Sequence, residues 1–75
     1  MRLPAITGRA LVAALQRGGF LVGAVKGSHY HLYDPRNPAR WVVVPVHAGK
    51  TLKPGTLHAI LKQAGLTPAE LMQLL

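Results

Sequence analysis

The chain has 75 residues, enough for one small domain with a thin core, and we expect residues 1–75 to form a single cytoplasmic domain without a signal peptide. It contains no cysteine, so disulfide bonds and thiolate metal sites are excluded, and no apolar run approaches the ~20 residues of a membrane helix. Nine Lys and Arg oppose two acidic residues. The formal charge of +7 favours polyanionic partners, with nucleic acid first and an acidic protein second.

The first predicted element is a helix at Gly8–Arg17. Thr7 is a favourable N-cap, and the glycine pair at 18–19 supplies residues that readily end a helix. Between these signals, apolar residues recur at helical spacing, namely Ala10, Leu11, Ala14 and Leu15. This spacing predicts a helix with one face towards a core.

Three strands are predicted next, at residues 20–26, 28–33 and 40–47, because these stretches are rich in β-branched and aromatic residues. Gly27 predicts a hairpin turn at residues 25–27, and the Asp-Pro-Arg-Asn-Pro cluster at 34–38 predicts a second turn. Gly23 indicates a bulge or a close approach within the first strand. Pro45 indicates that the third strand lies at an edge or ends there.

Two further helices are predicted after a loop at residues 48–53. Pro54 suits the first turn of one helix, whose apolar residues follow at helical spacing until Gly65. Thr67 and Glu70 then form a capping box around a proline at its favoured position. This box predicts a short C-terminal helix.

We therefore predict an α+β fold of order α-β-β-β-α, followed by the short helix. Three consecutive strands with short connections most simply form an antiparallel meander, and the helices then cover one face. Alternation along the strands assigns a core set, Tyr30, Leu32, Val42, Val44 and Val46, and an open-face set, His29, His31, Tyr33, Trp41, Val43 and His47. The architecture resembles that of a double-stranded-RNA-binding domain, an analogy that does not by itself give function.

The stretch Lys26-Gly27-Ser28-His29 concentrates groups that RNA cleavage requires. An imidazole takes or gives a proton near neutral pH, which serves both to deprotonate the ribose 2′-hydroxyl and to protonate the departing 5′ oxygen. Lys26 supplies a cation for the phosphate, Gly27 lets a phosphate approach the backbone, and Ser28 offers a donor. His29 is therefore predicted to be a general acid or base. The same residues also fit simple nucleic-acid binding.

Other basic and aromatic residues extend this interpretation. Lys50 and Lys53 follow the third strand and are expected beside the histidine, where they would bind phosphate. Tyr33 and Trp41 are interpreted as platforms for unpaired bases or as packing that protects a thin sheet. Three further basic residues are interpreted as phosphate contacts or as solvated surface, namely Arg36, Arg40 and Lys62.

A metal site is an alternative use of the histidines. His29 and His31 share a strand face, and His47 could join them from the third strand to bind zinc. The positive field disfavours a cation, and Asp34 is the only carboxylate nearby to orient the rings. We therefore predict no metal and no cofactor, and His31 and His47 are kept as candidates for an auxiliary role.

Four motifs together resemble the HicA (YcfA-like) mRNA interferase toxins of bacterial and archaeal toxin–antitoxin pairs. They are Gly27-Ser28-His29, then Val44-Pro45-Val46-His47, then Leu-Lys-Pro-Gly-Thr-Leu at 52–57, and then Ile-Leu-Lys-Gln-Ala-Gly-Leu at 60–66. Each motif alone is weak, but the set occurs in the family's order and spacing over nearly the whole chain.

The resemblance implies a fold like that of a double-stranded-RNA-binding domain and cleavage of messenger RNA without the ribosome, with His29 as the catalytic histidine. It also implies a HicB-type antitoxin, typically encoded next to the toxin, that covers this site in a hetero-oligomeric complex. His58 departs from the family pattern, in which arginine is usual, and this puts one phosphate contact in question. The second proton carrier stays open among His47, His31 and water, and a non-catalytic RNA-binding module is the alternative function.

Overall fold

A computed structural model describes residues 3–75 and confirms the α+β class and the predicted order of elements. The described residues form three helices and three strands, which are α1 (Gly8–Arg17), β1 (Leu21–Lys26), β2 (His29–Asp34), β3 (Asn37–Pro45), α2 (Pro54–Ala64) and α3 (Pro68–Leu74). Within the described residues, none of the helices has the length and apolar character that crossing a bilayer requires.

The helices begin and end where the local signals predict. The Thr7 hydroxyl accepts a hydrogen bond from the Ala10 amide at 3.1 Å and caps α1. Gly65 ends α2 in the left-handed conformation, with φ of +71°, which a residue without a Cβ adopts at little cost. The capping box of Thr67 and Glu70 is complete and begins α3.

The sheet is the predicted antiparallel meander, in the order β1-β2-β3. Its register shifts between Val22 and Ala24, which confirms the bulge predicted at Gly23. A Cβ on Gly23 would lie 3.2 Å from the ring of Tyr33, so the glycine gives that aromatic side chain room on the open face. The bulge therefore belongs to the packing of the open face.

The predicted turn at residues 34–38 is shorter in the structure, and β3 begins at Asn37 instead of at residue 40. The Asp34 carboxylate accepts a hydrogen bond from the Arg36 amide at 2.9 Å, which closes the turn within two residues and lets Asn37 pair with Asp34. At its other end β3 stops at Pro45, two residues before the predicted end, although the Val46 amide still donates to the Ser28 carbonyl at 2.7 Å.

The helices pack on one face of the sheet, and the predicted strand faces are confirmed except for His47, which lies beyond the end of β3 and not on the sheet. Leu32, Val42 and Val44 are buried in the core with the apolar faces of the helices, and Tyr30 and Val46 pack against it half-buried. On the opposite face, His29, Tyr33 and Trp41 are exposed. The sheet therefore presents an uncovered face that carries titratable and aromatic side chains.

Candidate active site

His29 and Lys26 are direct partners across the two-residue turn of the β1–β2 hairpin. The first turn residue, Gly27, has φ of +59°, and a glycine in this position is typical of the type II′ turns that join twisted strands. Nothing lies within 4 Å of the point where a Cβ on Gly27 would stand, so the space above the turn is open. Paired residues have Cβ atoms about 5 Å apart on the same face, which places an ammonium group beside the imidazole.

Pro45 is the partner of His29 on the other side, in β3. The Val46 amide donates to the Ser28 carbonyl at 2.7 Å, and Pro45 has no N–H, so His29 and Pro45 form a pair without mutual hydrogen bonds. Such pairs bring the two Cα atoms to about 4.5 Å. The row Lys26–His29–Pro45 thus closes one end of the open face, and all three residues belong to paired strands.

A basic cleft of ≈ 370 Å³ begins at Pro45, and its lining includes His47, Lys50, Lys53 and Thr56. The loop that forms it is held from both sides. The Lys50 amide donates to the His47 carbonyl at 3.1 Å, and Thr51 bridges to Thr7 ahead of α1. The structure therefore brings His47, Lys50 and Lys53 together in one cleft whose wall is the strand partner of His29.

The N-terminus of α2 adds to the positive potential of this cleft. Lys53 is the N-cap residue, its side chain makes no capping hydrogen bond, and the first turn carries no acidic residue. The positive end of the helix dipole and the unpaired amides of the first turn favour an anion there. Because Thr56 of this turn lines the cleft, the dipole reinforces the charges of the two lysines.

Gly8 sets the distance between α1 and the end of β3. A Cβ on this residue would overlap the Pro45 carbonyl oxygen and lie 3.1 Å from the Val46 Cα. The first turn of α1 therefore contacts the strand backbone directly, and only glycine allows so close an approach. This contact supports the strand end that stands opposite His29.

His31 lies one step further into the sheet and does not join the cleft. It is half-buried, and its strand partners are Ala24 and Val43, so its surroundings on the open face are apolar. Of the two auxiliary candidates, only His47 shares a cavity with the lysines. His58 and Lys62 line a different cavity, beside the start of α3.

Three arginines bind carbonyl groups within the domain, a role that the sequence did not predict, although the Arg36 side chain stays 71% exposed and agrees with its interpretation as solvated surface. Arg36 donates to the Gly18 carbonyl after α1, and Arg40 donates to the Ala64 and Gly65 carbonyls at the end of α2. Arg17 does the same for Leu74 at the end of α3. A cation at a helix C-terminus satisfies orphan carbonyls and complements the helix dipole.

The two neighbouring arginines also bind Asp34, whose side chain is only 1% exposed. Arg36 Nε lies 3.1 Å and Arg40 Nη1 lies 3.4 Å from its two carboxylate oxygens. The backbone N–H of Arg36, followed by the guanidinium groups, holds the pKa of Asp34 below its ordinary value. No local pattern in the sequence signals the bonds from the arginines to the helix-end carbonyls, because those carbonyls lie 18 to 57 residues away along the chain.

A metal ion finds no prepared set of ligands in residues 3–75, where no group of three or more His, Asp or Glu side chains is close enough to bind one. The sequence holds only two acidic side chains, and both are engaged. Asp34 binds the arginines, and Glu70 accepts from the Thr67 amide at 2.9 Å. Neither carboxylate is therefore left to join the histidines in binding a cation.

Comparison with protein families identifies a relationship that covers most of the chain. A family model described as the HicA toxin of bacterial toxin–antitoxin pairs matches residues 8–66, from the first residue of α1 to just past the end of α2. The match includes the hairpin, the end of β3 and the whole basic cleft. None of the curated proteins matches the sequence significantly.

Proposed function

Because the chain belongs to the HicA toxin family, we propose that it is a metal-independent endoribonuclease that cleaves messenger RNA in the cytoplasm without the ribosome. The observation that supports this proposal best is the row Lys26–His29–Pro45 at the rim of the basic cleft. It combines an exposed acid/base group, the neighbouring Lys26 and a strand partner, Pro45, that lines the cleft of Lys50 and Lys53. A HicB-type antitoxin is the proposed inhibitor, bound over this site in a hetero-oligomeric complex.

The proposed reaction uses the RNA's own 2′-hydroxyl as the nucleophile. A histidine removes the 2′ proton, the 2′ oxygen forms a bond to the adjacent phosphorus, and the bond from phosphorus to the 5′ oxygen breaks. A second group gives a proton to the departing 5′ oxygen, so the products are a 2′,3′-cyclic phosphate and a free 5′-hydroxyl. The reaction consumes no water and requires no metal.

His29 is assigned one of the two proton transfers, and His47 is proposed for the other. His29 has Lys26 beside it, and His47 lies with Lys50 and Lys53 in the cleft that begins at the strand partner of His29. The lysines stabilise the charge that develops on the phosphate. The open space above Gly27 lets the phosphate approach the turn, where Ser28 offers a hydroxyl donor.

The test is cleavage of a labelled single-stranded RNA by the purified protein in the presence of a chelator. Loss of a general acid or base typically costs 10²–10⁴-fold, so His29→Ala and His47→Ala should each lose about that much activity. His31→Ala is the matched control, because it removes the same ring from the same face beside apolar neighbours. It should retain activity within about threefold. Thermal unfolding and circular dichroism establish that each variant is folded.

Cleavage that survives His29→Ala would refute the assignment of His29, and cleavage that stops in chelator would refute the metal-independent reaction. If His31→Ala and His47→Ala exchange their expected effects, the second proton carrier lies on the sheet and not in the cleft. The wild-type protein should show a bell-shaped pH–rate profile, which becomes one-sided when either catalytic histidine is removed.

A non-catalytic RNA-binding module is the second candidate, and the open face favours it. Tyr33 and Trp41 are strand partners, and both are exposed, so their rings are available to stack on unpaired bases. Under this alternative the protein binds RNA with strong salt dependence but leaves it intact. This function would be identified by two results together: the RNA stays intact after prolonged incubation, and His29→Ala binds RNA as tightly as the wild type does.

A further inference from the structure

The outer edge of β3 presents unpaired backbone groups at Trp41 and Val43. Pairs with and without hydrogen bonds alternate along an antiparallel ladder. His29 and Pro45 form a pair without such bonds, so the pairs of Val43 with His31 and of Trp41 with Tyr33 are of the same kind. The N–H and C=O groups of Trp41 and Val43 therefore point away from β2, to the side where residues 3–75 supply no further strand.

An apolar groove runs along this edge, between β3 and α2. This edge groove of ≈ 490 Å³ is lined in part by Trp41, Val43, Gly55, Thr56, Ala59 and Gln63. Trp41 is 54% exposed, and the glycine and alanine of α2 leave room beside the strand. A free strand edge above an apolar groove fits an extended peptide, whose backbone bonds the edge while its side chains enter the groove.

Irregular pairing limits strand addition along both edges of the sheet, but it leaves one continuous segment in β3. In β1 the bulge at Gly23 interrupts the register in the middle of the strand, and bulges hinder the addition of another strand. In β3 the register shifts between the pairs Asp34–Asn37 and Tyr33–Trp41, so residues 38–40 lie outside the regular ladder. The segment from Trp41 to Val44, between this shift and Pro45, keeps a continuous register and is open to pairing.

Charge decides which kind of partner fits. Both acidic side chains of the sequence are engaged within the domain, and the net charge is +7, so a second copy of the chain would be repelled. An acidic partner is attracted. The edge groove also meets the basic cleft, since Thr56 lines both, so a peptide on the edge ends beside Lys50 and Lys53.

We propose that the cognate antitoxin adds an extended strand to the edge of β3, with apolar side chains in the edge groove and acidic residues reaching the basic cleft. This inference rests on membership of a toxin–antitoxin family and concerns the partner of the site proposed above. The strand bonds the outward amides of Trp41 and Val43, and its acidic end occupies the lysines that would hold RNA phosphate. Inhibition thus follows from competition in the cleft, while affinity comes from the edge.

The experiment measures, by titration calorimetry, the affinity of the purified protein for the cognate antitoxin that family membership implies. Val43→Pro removes one outward N–H that β2 does not use, and proline is tolerated at such edge positions. Val43→Thr is its control, because it keeps the N–H. Ala59→Glu fills the edge groove from an exposed position on α2, and its control is His58→Glu, which adds the same charge beside a different cavity.

Val43→Pro and Ala59→Glu should each weaken antitoxin binding about tenfold or more, whereas both controls should bind within about threefold of the wild type. Wild-type affinity in both test variants would overturn the proposal, and Ala59→Glu keeps this outcome accessible if Val43→Pro does not fold. Loss of RNA affinity in Ala59→Glu with unchanged antitoxin affinity would assign the groove to RNA and also overturn it. Antitoxin binding does not depend on catalysis. If the protein cleaves no RNA but the four variants show the expected antitoxin affinities, only the proposed nuclease activity is refuted.

Discussion

Replacing Gly8 with alanine tests whether the first turn of α1 holds the end of β3 in place. An alanine within a helix normally stabilises a protein relative to glycine, by about 0.4–1 kcal/mol, because it restricts the unfolded chain. At Gly8, however, the added Cβ would overlap the Pro45 carbonyl oxygen and stand 3.0 Å from the Pro45 carbonyl carbon. Both are backbone atoms, which cannot move aside as the end of a long side chain can.

The magnitude follows from the balance of these two effects. Overpacking of a tight contact typically costs about 1–3 kcal/mol, which exceeds the conformational gain. We therefore expect Gly8→Ala to lower the free energy of unfolding by about 1–2 kcal/mol. For a domain of this size each kcal/mol corresponds to about 4–8 °C in Tm. If the strand end shifts to relieve the overlap, Pro45 moves relative to His29 and RNA cleavage slows as well.

Gly55→Ala is the matched control, because it is the same substitution in the first turn of the other long helix. Nothing lies within 4 Å of a Cβ at Gly55, so this variant should gain about 0.5 kcal/mol and cleave RNA normally. Urea and thermal unfolding measure both free energies, and the cleavage assay gives both rates. The reasoning is refuted if Gly8→Ala is as stable as Gly55→Ala, since the overlap with the Pro45 backbone would then have no effect on stability.

Two further predictions concern acid stability and salt. The pKa of Asp34 is lowered from its ordinary value of 3.8, so its contribution to stability is present above that value and is lost as the pH falls through the lower pKa of the folded state. Unfolding measured from pH 6 to pH 2 should show this loss in the wild type but not in Asp34→Asn. Equal acid sensitivity of the two proteins would contradict the prediction. Each phosphate contact to single-stranded RNA contributes about 0.7 to the slope of log K against log salt, so Lys53→Ala should reduce that slope by about 0.7, whereas Lys62→Ala, beside another cavity, should leave it unchanged.

Prediction from the sequence worked best where a signal acts over a few residues. The ends of α1, marked by Thr7 and Gly18, agree with the structure, as do the cap of α3 and the left-handed Gly65 at the end of α2. The strand ends were less well predicted. The cluster at 34–38 predicts a turn over these five residues, whereas a hydrogen bond from the Arg36 amide to Asp34 closes the turn earlier and β3 begins at Asn37.

The candidate site was predictable only in part. The hairpin between Lys26 and His29 is local, so the residue pattern indicated their proximity. The pairing of His29 with Pro45 depends on the register between β2 and β3, which no short motif records. Likewise, the sequence does not show that His47 lies in the cleft with the lysines while His31 stays on the sheet, because the loop after β3 decides this.

The helix boundaries and the two faces of the sheet were predictable because capping and periodicity act within a few residues, and the excess of positive charge follows from composition alone. Which of these charges stay available to a ligand depends instead on contacts that form across the folded domain. Arg17, Arg36 and Arg40 are drawn to helix ends far along the chain, whereas Lys50 and Lys53 are left facing the cleft. A charged side chain binds whatever carbonyl the fold places in reach, and that neighbour is set by packing across the whole domain.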